Sequence, residues 1–219
     1  MSVRSVRTRI RAVDPEQPDA RAIAAAAAVV EAGGLVAFPT ESFYGLGADA
    51  LDADAVSRVF EVKGRPEQKA LLVLVDSVEM VAGLVAGIPD GVRALMAKHW
   101  PGPLTLVLEA AARVPAALTG GGGTIGVRMP GHAVARALVR SAGRPITAPS
   151  ANPSEAPPPR TAAAVRAYFD GLVELILDGG TTAGGAGSTV ADCTRWPPRI
   201  LRQGPVVIGG PEGACASPA

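Results

Sequence analysis

Aromatic residues are scarce in this chain, only 4% of 219 positions, although nearly half of the residues are hydrophobic. Its core must therefore be assembled from Ala, Val, Leu and Ile. There are only two histidines, His99 and His132, and two cysteines, Cys193 and Cys215, with no CxxC or HExxH spacing. A His-rich or Cys-rich metal site is thus excluded, and metal ligands are assigned to none of these residues. Two thiols without a motif suit a reduced, cytoplasmic protein. Charge of one sign is missing as well. The formal net charge is +1, whereas a dedicated nucleic-acid binder usually carries a basic excess or stripe. The one local cluster, Arg4, Arg7, Arg9 and Arg11, reads as a solvated edge strand. No long apolar run follows those arginines, and Ala22–Val30 is too short to span a bilayer. Neither a signal peptide nor a transmembrane helix is expected.

Glycine (26) and proline (20) are plentiful, about a fifth of the chain, and are spread between apolar runs. They read as tight turns of a globular protein. A chain of this length suits one domain and buries roughly 70% of the surface its unfolded form exposes. Residues 1–208 are expected to form that domain, with 209–219 as a flexible tail.

Helical and strand-like patterns alternate. Helices are expected over Asp19–Ala32, ended by Gly33–Gly34, and over Asp54–Val62, Val78–Ala86, Asp90–His99, Ala133–Ser141 and Thr161–Phe169. Strands are expected at Leu35–Phe38, Leu71–Val75, Leu104–Leu108, Thr124–Arg128, Pro145–Ala148, Leu172–Leu177, Ser188–Asp192 and Arg199–Leu201. Continuous apolar strands alternating with helices imply an α/β fold with helices on both faces of a sheet. Some connections are too short for a crossover helix, so the sheet is mixed.

Four segments break the apolar pattern with polar residues at strand or helix ends, where open α/β sheets place ligands. Pro39-Thr-Glu-Ser-Phe-Tyr-Gly-Leu-Gly47 reads as a loop shaped around a ligand, or as a turn with a satisfied hydroxyl. Lys63-Gly-Arg-Pro66 places two cations on a rigid corner that suits a polyphosphate. The same cations also complement a helix dipole. Ser150-Ala-Asn-Pro-Ser154 offers small hydroxyl and amide groups for ribose, phosphate or carboxylate, or forms an ordinary Asx turn. Gly187-Ser-Thr-Val-Ala-Asp192 faces Arg202-Gln-Gly204 across neighbouring strands. Thr124-Ile-Gly-Val-Arg-Met-Pro130 adds a further arginine, and Trp100-Pro-Gly-Pro-Leu-Thr105 a distinctive turn.

In this order the segments resemble the YrdC-like family, which carries PTE followed by YGLG, then KGRP, WPGPLT, R-x-P, SAN-x-S and STV-x-D. The resemblance runs from about Gly33 to Gly204. It implies a mixed, twisted α/β sheet with a concave ligand-binding face. It also implies a nucleotidyltransferase reaction, in which L-threonine, bicarbonate and ATP give threonylcarbamoyl-AMP and pyrophosphate for a tRNA modification. Carried over position by position, Thr40, Arg128 and Ser188 are the threonine contacts. Lys63, Arg65, Thr124, Ser150, Asn152 and Arg202 are the ATP contacts, with Lys63 and Arg65 catalytic through charge stabilisation. Mg²⁺ is expected with ATP, and tRNA or a downstream threonylcarbamoyl-transfer protein is a further expected partner. No membrane partner is expected.

The chain departs from the commoner family pattern at three places. Leu74 stands where many members have His, Ala148 replaces a frequent Thr, and Glu155 and Pro158 lie in a proline-rich loop after SAN-x-S. Each removes hydrogen-bond donors while the cations remain. Two alternatives compete with the synthase: a tRNA- or double-stranded-RNA-binding module without catalysis, and a carbamoyl-transfer enzyme of the hydrogenase-maturation type. Neutral charge and few aromatics count against the first. The second carries zinc-finger and acylphosphatase regions not found among these residues, so the chain resembles the short, single-domain form. A P-loop is excluded, because Gly120–Thr124 lacks the GK[ST] ending.

Overall fold

A computed structural model describes residues 5–66 and 70–208. Arg4, Lys69, Cys215 and the tail expected over 209–219 lie outside the described residues. The elements run in the order β1 (Arg9–Ala12), α1 (Ala20–Glu31), β2 (Val36–Pro39), β3 (Tyr44–Gly47), α2 (Ala53–Lys63), β4 (Leu72–Leu74), α3 (Val78–Ala82), α4 (Asp90–His99) and β5 (Leu104–Glu109). There follow α5 (Ala116–Thr119), β6 (Thr124–Arg128), α6 (Ala133–Ala142), β7 (Ile146–Thr147), α7 (Ala162–Phe169), β8 (Leu175–Asp178), β9 (Thr189–Asp192) and β10 (Arg199–Arg202).

The strands form two hydrogen-bonded sheets, of order β1-β8-β2-β3 and β10-β9-β5-β6-β4-β7, where the sequence suggested one. Both are mixed. In the larger sheet β5–β9 and β4–β6 run parallel, and β10–β9, β5–β6 and β4–β7 antiparallel. Isolated bridges from Gly45 to Ser150 and from Asp49 to Ile146 join β3 to the β7 side of the larger sheet. Strand β1 is an exposed edge carrying Arg9 and Arg11, as the arginine cluster suggested.

Local chemistry sets the boundaries. Asp19 caps α1, its Oδ1 accepting from the Ala22 amide at 2.9 Å. Apolar positions 22, 23, 26, 27 and 30 then bury one face of the helix. Helix α1 packs beside α6 over β2, β8 and β7, and these elements close one core around Phe38, Val30, Leu138 and Leu177. A second core lies among α2, α7, β5 and β6, around Val59, Phe60, Leu106, Val127 and Phe169. Each fully buried Leu, Val or Phe contributes about 1.5–3 kcal/mol, which lets a chain poor in aromatics hold its fold.

The segment expected to be a loop, residues 39–47, is mostly a strand. Strand β3 pairs antiparallel with β2 from Pro39–Tyr44 to Val36–Gly47, and only residues 40–43 turn. Its glycines are there for packing. A Cβ on Gly47 would sit 2.8 Å from both the Ile146 Cγ2 and the Phe38 ring, so a strand passing this close must be bare. Short α5 was also not expected. Cys193 follows β9, buried, and its thiol is pushed up to about 11 by burial and then by the charge of Asp192.

Candidate ligand-binding site

Side chains alternate across a strand, so one face of the larger sheet collects every second residue. Ser188 just before β9 and Val190 within it, Thr105 and Val107 from β5, and Thr124, Gly126 and Arg128 from β6 fall on that face with Leu72 and Leu74 from β4. Together they floor a cavity of about 530 Å³. Its walls come from Thr40, Ser42 and Tyr44 at the β2–β3 turn, Arg65 after α2, Pro149, Ser150 and Pro158 after β7, and Arg202 from β10. Gly126 leaves the middle of the floor low. A Cβ there would meet only Thr105 Cγ2 at 3.5 Å and Val107 Cγ2 at 3.9 Å.

At the β10 side, arginines are fixed by partners. Arg128 Nε donates to the Gly102 carbonyl at 3.1 Å, and Nη2 forms an ion pair with Glu41. Glu41 uses its other oxygen to accept from the Gly131 amide at 2.6 Å. Burial acts to raise the Glu41 pKa, but the Arg128 charge and these hydrogen bonds outweigh it and hold the carboxyl below its usual range. Arg202 grips Ser188 twice, Nε to the carbonyl at 3.0 Å and Nη2 to Oγ at 3.1 Å. Its pKa is lowered by burial and by Arg128. Thr105 Oγ1 completes this cluster 2.8 Å from Ser188 Oγ.

At the β7 side, Asp52 starts α2 as its cap and Gly64 stops it at φ +55. Without a Cβ penalty at that positive φ, the chain turns sharply and sends Lys63 and Arg65 off at a corner. The Lys63 ammonium is buried and donates to the carbonyls of Ser150 and Asn152, each at 2.5 Å. Burial first, and the neighbouring Arg65 charge second, push its pKa down to about 8. Arg65 Nη2 donates to the Ala70 carbonyl at 3.0 Å, and burial lowers its pKa. Asn152 is buried and donates to the carbonyls of Pro153 and Ala156, while its Oδ1 and the Ser154 Oγ have no hydrogen-bond partner among the described residues.

Of the nine residues singled out from sequence, Thr40, Arg65, Thr124, Arg128, Ser150, Ser188 and Arg202 line this one cavity. Lys63 and Asn152 do not. They sit behind it, stitching the end of α2 to the Ser150–Ala156 loop. Of the four residues at the family departures, Leu74, Ala148 and Pro158 line the cavity and Glu155 does not. Sequence reasoning assigned no role to Glu41 or Thr105. Both lie inside quoted motifs, but no local pattern pairs Glu41 with Arg128 or Thr105 with Ser188. Tyr44 was likewise unassigned. Its hydroxyl donates to the Gly180 carbonyl at 2.8 Å, and burial, then Asp178, push it up to about 12.

Among the described residues no His, Cys, Asp or Glu lines the cavity. The arrangement therefore presents guanidinium and hydroxyl donors over an apolar floor, groups suited to an anion. It can position and stabilise charge, and it provides no obvious lining base or nucleophile pair. This is an α/β domain with a cavity lined by arginines and hydroxyls on one sheet face. The chain belongs to the Sua5/YciO/YrdC family, whose model, described as "Telomere recombination", matches residues 28–204.

Relatives agree with this placement. The chain is 50% identical over 179 residues to a threonylcarbamoyl-AMP synthase of Pyrococcus abyssi, covering 82% of this chain and 53% of that protein. It is 44% identical over 186 residues to the threonylcarbamoyl-AMP synthase of Bacillus subtilis, covering 83% and 53%. It therefore spans about half the length of these relatives. The crystal structure of P. abyssi Sua5 complexed with L-threonine superposes with a TM-score of 0.85 at 47% identity, covering 89% of this chain and 57% of that one.

Proposed function

We propose that this chain is a threonylcarbamoyl-AMP synthase, a nucleotidyltransferase that uses L-threonine, bicarbonate and ATP. The observation that carries the reading is a cavity, free of carboxylates among the described residues, with arginines on both sides, Arg128 and Arg202 toward β10 and Arg65 toward α2. Two anionic substrates, one small and one polyphosphate, suit such a cavity. The naming of the relatives as synthases and the threonine-bound Sua5 neighbour support the same reading.

In this reading Arg128 receives the threonine carboxylate in a two-pronged geometry, with Thr40 and Ser188 beside it. Arg65, Thr124, Ser150 and Arg202 face the nucleotide, while Lys63 and Asn152 fix the loop on which Ser150 lies. The threonine amine attacks bicarbonate, giving a carbamate and releasing water. A carbamate oxygen then attacks the α-phosphorus, and the bond to the β-phosphate oxygen breaks to release pyrophosphate. Arg65, and Lys63 behind it, stabilise the charge that develops on the leaving group. Chemistry of this kind rests on positioning and electrostatics, which is what the lining offers.

Mg²⁺ fits only as a companion of the triphosphate. No carboxylate lines the cavity, and no group of three His, Cys, Asp or Glu side chains able to hold a metal occurs among the described residues. The ion would supply charge neutralisation on the phosphates, coordinated by phosphate oxygens and water. Among the described residues no helix is long and apolar enough to cross a membrane. A cytoplasmic enzyme, with residues 1–208 as the working unit and tRNA or a transfer protein receiving the product, completes the proposal.

The test is pyrophosphate release from ATP and bicarbonate with and without L-threonine, with the adenylate product identified by mass spectrometry. Threonine-dependent release with the mass of threonylcarbamoyl-AMP is expected. Release indifferent to threonine would sink the reading.

A further inference from the structure

Arg128 has different neighbours on its two sides. On β4, Leu74 is its partner in the ladder. On β5, Thr105 precedes Leu106, whose partner is Val127, the residue before Arg128. Both Leu74 and Thr105 line the cavity. In the ladder, Arg128 is therefore flanked by a leucine on one side and a threonine on the other.

That hydroxyl belongs to a pair. Thr105 Oγ1 and Ser188 Oγ are 2.8 Å apart, and Arg202 Nη2 donates to Ser188 Oγ from 3.1 Å. Both residues are almost fully buried, Thr105 at 3% and Ser188 at 2% exposure. The two hydroxyls hold two protons, and one lies between the two oxygens. Among the described residues no other group accepts from either hydroxyl. The second proton is left to face the cavity, while the oxygen lone pairs remain open to a donor.

We propose that Thr105 is a specificity-determining residue: with Ser188 it binds the side-chain hydroxyl of the amino-acid substrate, while Leu74 covers that substrate's methyl group. This rests on the synthase reading, in which the substrate carboxylate sits on Arg128. An amino acid held there presents its Cβ substituents toward the two flanks of Arg128. A Cβ bearing both a methyl and a hydroxyl satisfies both flanks. Its apolar isostere valine strands the buried hydroxyl pair without a partner, which sites built around a hydroxyl reject strongly. Serine leaves Leu74 uncovered and loses the smaller discrimination a single methyl provides.

The experiment compares wild type, Thr105→Val and Thr105→Ser for kcat/KM with L-threonine, L-valine and L-serine by pyrophosphate release, with binding of each amino acid followed by calorimetry. Thr105→Val keeps the shape and removes the hydroxyl. It is expected to lower kcat/KM for threonine about tenfold, the scale of one hydrogen bond, and to raise it for valine, which no longer opposes the Thr105 hydroxyl. Thr105→Ser should keep the preference for threonine over valine, showing that the hydroxyl matters and not merely an intact fold. A Thr105→Val that weakens threonine and valine equally would overturn the inference, because the pair would then serve the shared carboxylate. Unchanged threonine kinetics in Thr105→Val would overturn it too. Failure of the wild type to require threonine is a separate result, and it removes the synthase reading together with this inference.

Discussion

The two sides of the cavity hold their cations by different means. At the β10 side, Arg128 and Arg202 extend from strands, and each adds a side-chain partner to a backbone carbonyl, Glu41 for one and the Ser188 hydroxyl for the other. At the β7 side, Lys63 and Arg65 flank a helix stop, and among the described residues Lys63 donates to the carbonyls of Ser150 and Asn152 and Arg65 to that of Ala70. The strand-borne pair is oriented before any ligand arrives, at the cost of having Arg128 partly neutralised by Glu41. On the helix side, the Lys63 ammonium donates to carbonyl dipoles, and burial, with the nearby Arg65 charge, makes its own charge harder to keep. A rigid, partly neutralised site suits a small carboxylate held in one pose. A site whose charge is unstable until an anion comes suits a polyphosphate.

The strongest way to break this contrast is at the helix side. Lys63→Ala and Arg65→Ala should each lower kcat for pyrophosphate release at least about 100-fold, the scale of losing charge stabilisation in the transition state. Activity within a few-fold of wild type in both would leave the helix side without a catalytic part.

The strand side is tested through its backbone. A Cβ on Gly204 would lie 2.4–2.6 Å from backbone atoms of Thr189, Gly187 and Ser188, contacts that cannot be relieved by rotating a side chain. Gly204→Ala should push the 202–206 segment off the Thr189 hydroxyl, which now accepts from the Gly204 and Val206 amides at 3.0 Å each. The cost is about 1–3 kcal/mol, read as a drop in Tm of about 2–4 °C for each kcal/mol. Nucleotide affinity should fall with it as Arg202 moves. An unchanged Tm would show that this strand end yields more easily than its contacts imply.

The two sides should also part company with pH. A bound polyphosphate favours charged Lys63, whose pKa in the free protein lies at about 8. Above that value binding must take up a proton, so ATP affinity should fall by up to about tenfold per pH unit. Below it the affinity should level off. Calorimetry in buffers of different ionisation enthalpy would show proton uptake near pH 9, lost in Lys63→Met. Threonine binding should lack this particular dependence. The mildest test is Gly126→Ala. Its new Cβ fits at van der Waals distance from Thr105 and Val107, so Tm should hold while ligand affinity falls a few-fold from the raised floor.

Much of this was legible in the residues. Periodicity placed α1, α2, α4, α6 and α7 within a few positions, because Asp19, Asp52, Gly33, Gly64 and Gly143 mark helix ends by backbone and capping chemistry. Residues 39–47 misled for a physical reason. Gly45 and Gly47 signal a loop in sequence, yet here they answer to the Phe38 ring and Ile146 across β2 and β7, a long-range demand that no local pattern carries. The division into two sheets was hidden likewise, since it depends on which edges pair. In the site, ordered motifs led to seven residues that share one cavity. They did not reveal that Lys63 turns toward the carbonyls behind it, or that Glu41 and Thr105 partner Arg128 and Ser188. Those facts depend on side-chain direction and cross-strand register.

Cys193 gives the molecule a built-in clock. With its thiol pushed up to about 11, about one folded molecule in a thousand carries the reactive thiolate at pH 8, against roughly a quarter of unfolded ones with an ordinary thiol. Burial shields it further. Alkylation at this position, followed by peptide mass spectrometry, therefore counts openings of the β9 region over time. Because Cys193 shares that strand region with Ser188 and Thr189, a ligand that settles against Arg202 and Ser188 should slow the count, reporting occupancy without any label.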